Sequence, residues 1–170
     1  NTQEKAVLKK LESWNGNYDY RKTEPVIFQS WLDSTYVLCF DEISQWRDSV
    51  EVLSVESWRF LALLEKTPSH SIFDVKKTAA VEQASDLILI AFRKICQNYA
   101  KTPAQDWRSV NNASINHLVR LPAFSRTNLP ISGHAQAPNA TRGGHGPSWR
   151  MVVELAKDGV KAWGTVTGSD

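Results

Sequence analysis

Apolar residues fall at helical spacing from the start of the chain. In residues 3–14, QEKAVLKKLESW, Ala6, Val7, Leu11 and Trp14 share one face while Lys and Glu take the other. Asn15-Gly16-Asn17 supplies the stop. A second helix is predicted from Thr23-Glu24-Pro25, with Thr23 as N-cap and Pro25 in the first turn. Its face of Val26, Ile27, Phe28, Trp31, Leu32 and Leu38 is broader than a surface helix needs, so burial is expected. A shorter helix over 54–65 carries Trp58, Leu61 and Leu64 and breaks at Thr67-Pro68-Ser69. The longest helical pattern covers 76–100. Val81, Ala84, Leu87, Ile88, Ala91, Phe92, Ile95 and Tyr99 fall at steps of one, three and four, and Thr102-Pro103 closes it.

After Pro103 the pattern changes. Asn, Ser, Pro and Gly dominate up to Gly146, around one short apolar unit, Ile115 to Val119. Residues 132–147 read as a long loop, which in a compact chain is functional or packed against other structure. Two strands are predicted over 148–155 and 160–167, joined through Ala156-Lys157-Asp158-Gly159 as a tight hairpin. Trp149, Met151, Val153 and Leu155 share one face, and Arg150, Val152 and Glu154 the other. Two strands alone are marginal in water, so this hairpin is expected to join strands from another segment or chain. The reading is an α+β fold: a helical segment over 1–102 and a loop-plus-strand segment over 103–170, together one incomplete domain. The chain opens within a helical pattern and stops just after a strand pattern, so a piece of a longer or processed protein is expected.

Composition narrows this little further. Net charge is +2, and no run of Lys and Arg points to nucleic acid. No stretch has the length and apolarity of a membrane span, and no signal peptide is visible. Cys39 and Cys96 lie in apolar helical patterns and read as buried free thiols, although two cysteines alone leave a disulfide open. The seven tryptophans suit an aromatic core better than a carbohydrate-binding face.

The segment His145-Gly146-Pro147-Ser148-Trp149-Arg150, the strand Met151 to Leu155, Gly133, Asn139 and the final Thr167-Gly168-Ser169 together resemble the penicillin amidase family of N-terminal-nucleophile hydrolases. Trp107 followed by His117, the helix end Leu11-Glu12-Ser13-Trp14-Asn15-Gly16, and Phe28 with Trp31 extend the resemblance over most of the chain in order. It implies a fragment of a four-layer αββα sandwich. It also implies an amidohydrolase made as a precursor that cleaves itself into a small and a large subunit. In such enzymes the N-terminal Ser of the large subunit is the nucleophile and its α-amino group the base. Penicillins or cephalosporins, acyl-homoserine lactones and lipopeptides are the substrates implied, and a periplasmic or secreted location goes with them. The partners implied are the remainder of the large subunit and the small subunit. Asn stands at position 1 here, and the family's nucleophile lies upstream of the matched region. The expectation is therefore the C-terminal part of a large subunit with no catalytic residue of its own, inactive alone. No cofactor is expected in this segment; a structural calcium belongs, if anywhere, to the complete protein. The alternative is a non-catalytic helical interaction module.

His145, Ser148, Arg150 and Asn139 are then the candidate cleft-shaping or structural residues. His145 and Ser148 resemble a general base and a nucleophile, but three residues apart at the start of a strand they do not naturally converge. The glycines around His145 run from loop into strand, whereas a phosphate loop runs from strand into helix. Arg150 alternates with Glu154 and suits a cross-strand ion pair. His70, His117, His134 and His145 show no metal-binding spacing. Asp41 and Glu42 read as solvated.

Overall fold

The computed structural model describes residues 1–44, 55–102, 105–141, 144 and 151–164. These form two compact units: residues 1–15 with 26–104, and residues 16–25 with 105–170. Helices fill the first and short antiparallel strands the second, which makes the chain α+β.

The first unit holds α1 (Thr2–Glu12), α2 (Glu24–Cys39) from Val26 onward, α3 (Asp41–Ser44), α4 (Ser57–Lys66) and α5 (Ala84–Lys101). Helix α5 buries Ala84, Leu87, Ala91, Phe92, Ile95 and Cys96, the face expected from its spacing. Two apolar clusters result. One joins Cys39, Phe40, Phe60, Phe73, Ala84 and Leu87; the other joins Val7, Ile27, Phe92, Ile95 and Cys96. The indole N–H of Trp31 donates to the Ile88 carbonyl at 2.9 Å, and the Gln3 side chain donates to the Cys96 carbonyl at 2.8 Å. These bonds pin α2 and α1 to α5 while their apolar faces close on it. Both cysteines are buried free thiols, as expected.

Two helix expectations are corrected. Helix α5 begins at Ala84 rather than at residue 76, and Val81 is 81% exposed. Local hydrogen bonds capture the preceding segment. The Glu82 carboxylate accepts from the Thr78 hydroxyl at 2.7 Å and from the Val75 N–H at 3.1 Å, while Ala84 N–H donates to the Pro68 carbonyl. Such bonds compete with a helical ladder, and a capping box between Gln83 and Asp86 marks the start instead. In α4 the buried residue is Phe60, with Leu63 and Leu64 beside it, whereas Trp58 and Leu61 are exposed. Asp41 and Glu42 are half-buried rather than solvated, with Glu42 at 3.8 Å from the Lys76 ammonium.

The second unit contains β1 (Asn112–Ile115) paired antiparallel with β2 (Arg126–Pro130). Ala113 faces Leu129 and Ile115 faces Arg126, so β2 carries an extra residue between them. Asn128 sits there at φ 56, the left-handed conformation Asn tolerates best among non-glycine residues. On its other side β1 meets Gly144 in a parallel bridge. Gly144 N–H donates to the Asn112 carbonyl at 2.7 Å, and Ser114 N–H donates to the Gly144 carbonyl at 3.2 Å.

The hairpin is present as β3 (Met151–Ala156) and β4 (Gly159–Gly164), in register from Met151 opposite Gly164 to Ala156 opposite Gly159. Its turn residues are Lys157 and Asp158, and Gly159 opens β4 at φ 148. Met151, Val153 and Leu155 share a face with Val160 and Ala162; Glu154 stands opposite Lys161 on the other. Every residue of both strands is exposed, Leu155 by 81% and Val160 by 66%. Strands with an apolar face left in water cannot draw hydrophobic stability from it, which is the physical content of the expectation that this hairpin joins further structure. The outer ends of both predicted strands, 148–150 and 165–167, lie outside the described residues.

Candidate functional site

Among the described residues of the second unit, the loop after β2 is densely bonded. It is built from the start of the loop, the turn before β1, and residues 18–22. Ser132 and Gly133 are its centre. The Gly133 carbonyl accepts from the Trp107 indole N–H at 2.8 Å and from the Asn111 side-chain amide at 3.1 Å. The same Asn111 amide reaches the Thr141 hydroxyl at 3.2 Å. The Ser132 carbonyl accepts from the Asn139 amide at 2.7 Å and from the Thr141 hydroxyl at 3.4 Å. Gly133 N–H donates to the Tyr18 carbonyl at 2.7 Å, and Tyr20 N–H to the Ser132 hydroxyl at 3.0 Å. Trp107 N–H and Arg108 N–H complete the anchorage on the carbonyls of Lys22 and Tyr20.

This arrangement solves a burial problem. Trp107, Asn111 and Thr141 are buried, and buried polar groups need partners. The loop's own carbonyls provide them. Gly133 lies at φ 102, and a Cβ there would fall onto the Asn139 side chain, so only glycine allows the close approach. The Tyr18 ring packs edge-on against Trp107 with centroids 4.9 Å apart, and His134 lies 5.0 Å from Tyr18. The His134 Nδ1 accepts from Gln136 N–H at 3.3 Å. Nearby, the Arg21 guanidinium and backbone N–H bind Asp19 and hold its carboxyl down to about 2.

Of the four candidate residues, Asn139 belongs to this node. His145, Ser148 and Arg150 lie outside the described residues, as do Gly143, Gly146 and Pro147. Gly144 has a positive φ, 83. His117 packs against Phe124 with ring centroids 5.4 Å apart; His70 caps the turn at residues 71–73 by accepting from Ile72 N–H. Among the described residues no three His, Cys, Asp or Glu side chains gather as a metal site would require. Asn111 and Thr141 were not singled out from the sequence. The pair Asn111-Asn112 directly after a tryptophan turn was the available signal.

What the node does chemically is hold a loop, and the described side chains in it are engaged with backbone groups. The chain is a domain of an acylase-type hydrolase: residues 1–170, the whole chain, match the family described as penicillin amidase. The chain belongs to the penicillin amidase family. Neither a curated protein nor a solved structure gives a match. No described helix is long and apolar enough to cross a membrane.

Proposed function

We propose that this chain is the C-terminal portion of the large subunit of a penicillin-amidase-type enzyme. In this reading the enzyme hydrolyses the linear amide bond of an acylated substrate, of the penicillin or cephalosporin, acyl-homoserine lactone or lipopeptide type. It acts on carbon–nitrogen bonds other than peptide bonds. The nucleophile is an N-terminal Ser elsewhere in the protein, exposed by self-cleavage of a precursor in the periplasm or outside the cell. A structural calcium, if the enzyme holds one, takes its ligands from the remainder of the protein. The contribution of this chain is structural. Its strands extend the core sheets of the sandwich, and Asn139, with His145, Ser148 and Arg150, shapes the loop region beside the cleft. The small subunit and the rest of the large subunit are its partners.

The family match over 1–170 carries this reading. The exposed apolar face of β3 and β4 supports it, because a further layer packed on that face removes it from water. The test is expression of the complete gene, with intact-mass measurement and N-terminal sequencing of the product. Two subunits, the larger starting with Ser, and release of free acyl product from an amide panel are expected. A single uncleaved chain without hydrolysis would sink the proposal and favour the helical interaction module.

A further inference from the structure

Between Trp107 and Val153 the sequence contains no Asp, Glu or Lys. Its charged side chains are Arg108, Arg120, Arg126, Arg142 and Arg150. Elsewhere the chain mixes acids with both bases. Solubility alone is served equally by lysine, whereas arginine presents a planar fork of donors that matches a carboxylate two-to-two. Arg108 has a carboxylate near it, Asp106 at 3.8 Å. Arg120 and Arg126 have none among the described residues.

Arg120 lines a cavity of about 360 Å³ in the connection between β1 and β2, together with Asn116, Pro122, Ser125 and Thr127. The lining residues include an arginine, an asparagine, a serine and a threonine, and no acid. The connection is held in shape by its own bonds. Arg120 N–H donates to the His117 carbonyl at 2.7 Å, with Arg120 at φ 55, and the Ser125 hydroxyl accepts from His117 N–H while donating to the Leu121 carbonyl. The Ser125 hydroxyl proton is thereby committed to the frame. In the same turn the Nδ1 of His117 is buried without a hydrogen-bond partner.

We propose that the connection between β1 and β2 binds the carboxylate of a small organic anion, with the Arg120 guanidinium as its principal partner and the Asn116 amide and Thr127 hydroxyl as further donors. The site rests on the geometry of residues 116–127 and is independent of where the amide hydrolysis takes place.

The experiment is a titration of the complete protein, expressed from its full gene, with sodium acetate, followed by NMR of arginine Nε–H and asparagine side-chain amide signals. Sodium chloride at matched ionic strength is the control. A saturable shift of the Arg120 Nε–H and Asn116 signals, absent with chloride, is expected. Arg120→Gln should weaken binding by at least about tenfold, Arg120→Lys should restore part of it, and Arg108→Gln should leave it unchanged. If Arg120→Gln disturbs the fold, Thr127→Val provides the second test and should weaken acetate binding measurably. A linear drift equal to that with chloride, or binding that survives both substitutions, overturns the proposal. Equal or tighter saturation by inorganic phosphate overturns the carboxylate assignment and leaves a general oxyanion site.

Discussion

Gly133 shows how one residue fixes a loop. Its φ of 102 and its contact with Asn139 act separately, and substitution separates them. Gly133→Ala should cost more than the roughly 1–2 kcal/mol of a left-handed alanine, because the new methyl also meets the Asn139 amide. Gly16→Ala, at φ 77 with open space around it, should cost only the backbone term. Denaturant melts of both variants measure the difference. Adding Asn139→Ala to Gly133→Ala should be less than additive, since it removes the obstacle along with the bond. The thiols make a second residue-scale prediction. Burial, then the nearby Glu42 and Asp41 charges, pushes Cys39 up to about 12, and burial raises Cys96 as well. A thiol whose value is raised by folding costs nothing while both states are protonated. The Cys39 contribution to stability should therefore be flat below about pH 9 and fall toward 12, by about 1.4 kcal/mol per pH unit, with Cys96 acting in the same direction. Urea melts at pH 8 and pH 10 check the sign. At pH 8 neither thiol should be alkylated until the protein is unfolded. From the sequence, Gly133 and Asn139 were legible through the family resemblance. The node's buried Asn111 and Thr141 were not, because a polar residue's burial depends on partners distant in sequence.

Among the elements, the helices were legible wherever burial and periodicity agree. Helix α5 buries Leu87, Ala91 and Ile95 as the spacing demands. Periodicity misplaced its start, because the Glu82 carboxylate gives the preceding backbone a better local partner than a helix does. In α4 it favoured Trp58 over Phe60, since hydrophobicity alone does not set which face meets a neighbour. Phe60→Ala should therefore cost about 3–5 kcal/mol, while Trp58→Ala, at a 63% exposed position, should stay within about 0.5 kcal/mol. Thermal or urea unfolding of the pair tests the assignment. Strands β1 and β2 left almost no trace in the pattern. Ala113 is buried and Leu129 half-buried, and the bulge at Asn128 interrupts alternation. Their pairing is fixed by tertiary bonds. The hairpin of β3 and β4, by contrast, was readable because alternation and a turn signal coincide.

For the whole molecule, the exposed hairpin sets the behaviour in solution. In the chain by itself, amides of β3 and β4 should exchange with solvent far faster than those of α5, whose inner face is buried. In the complete protein the same amides should become protected if the hairpin enters a sheet. Hydrogen exchange with mass readout compares the two states directly, and equal exposure in both would contradict the proposed docking. Strand β1 lies between β2 and Gly144, antiparallel to the first and parallel to the second. The intervening loop must pass round the end where the chain runs from Trp107 into β1, and Gly133 grips Trp107 and Asn111 there. The loop therefore works as a buckle fastened over a belt. A loop too short to reach round would leave Gly144 unable to dock.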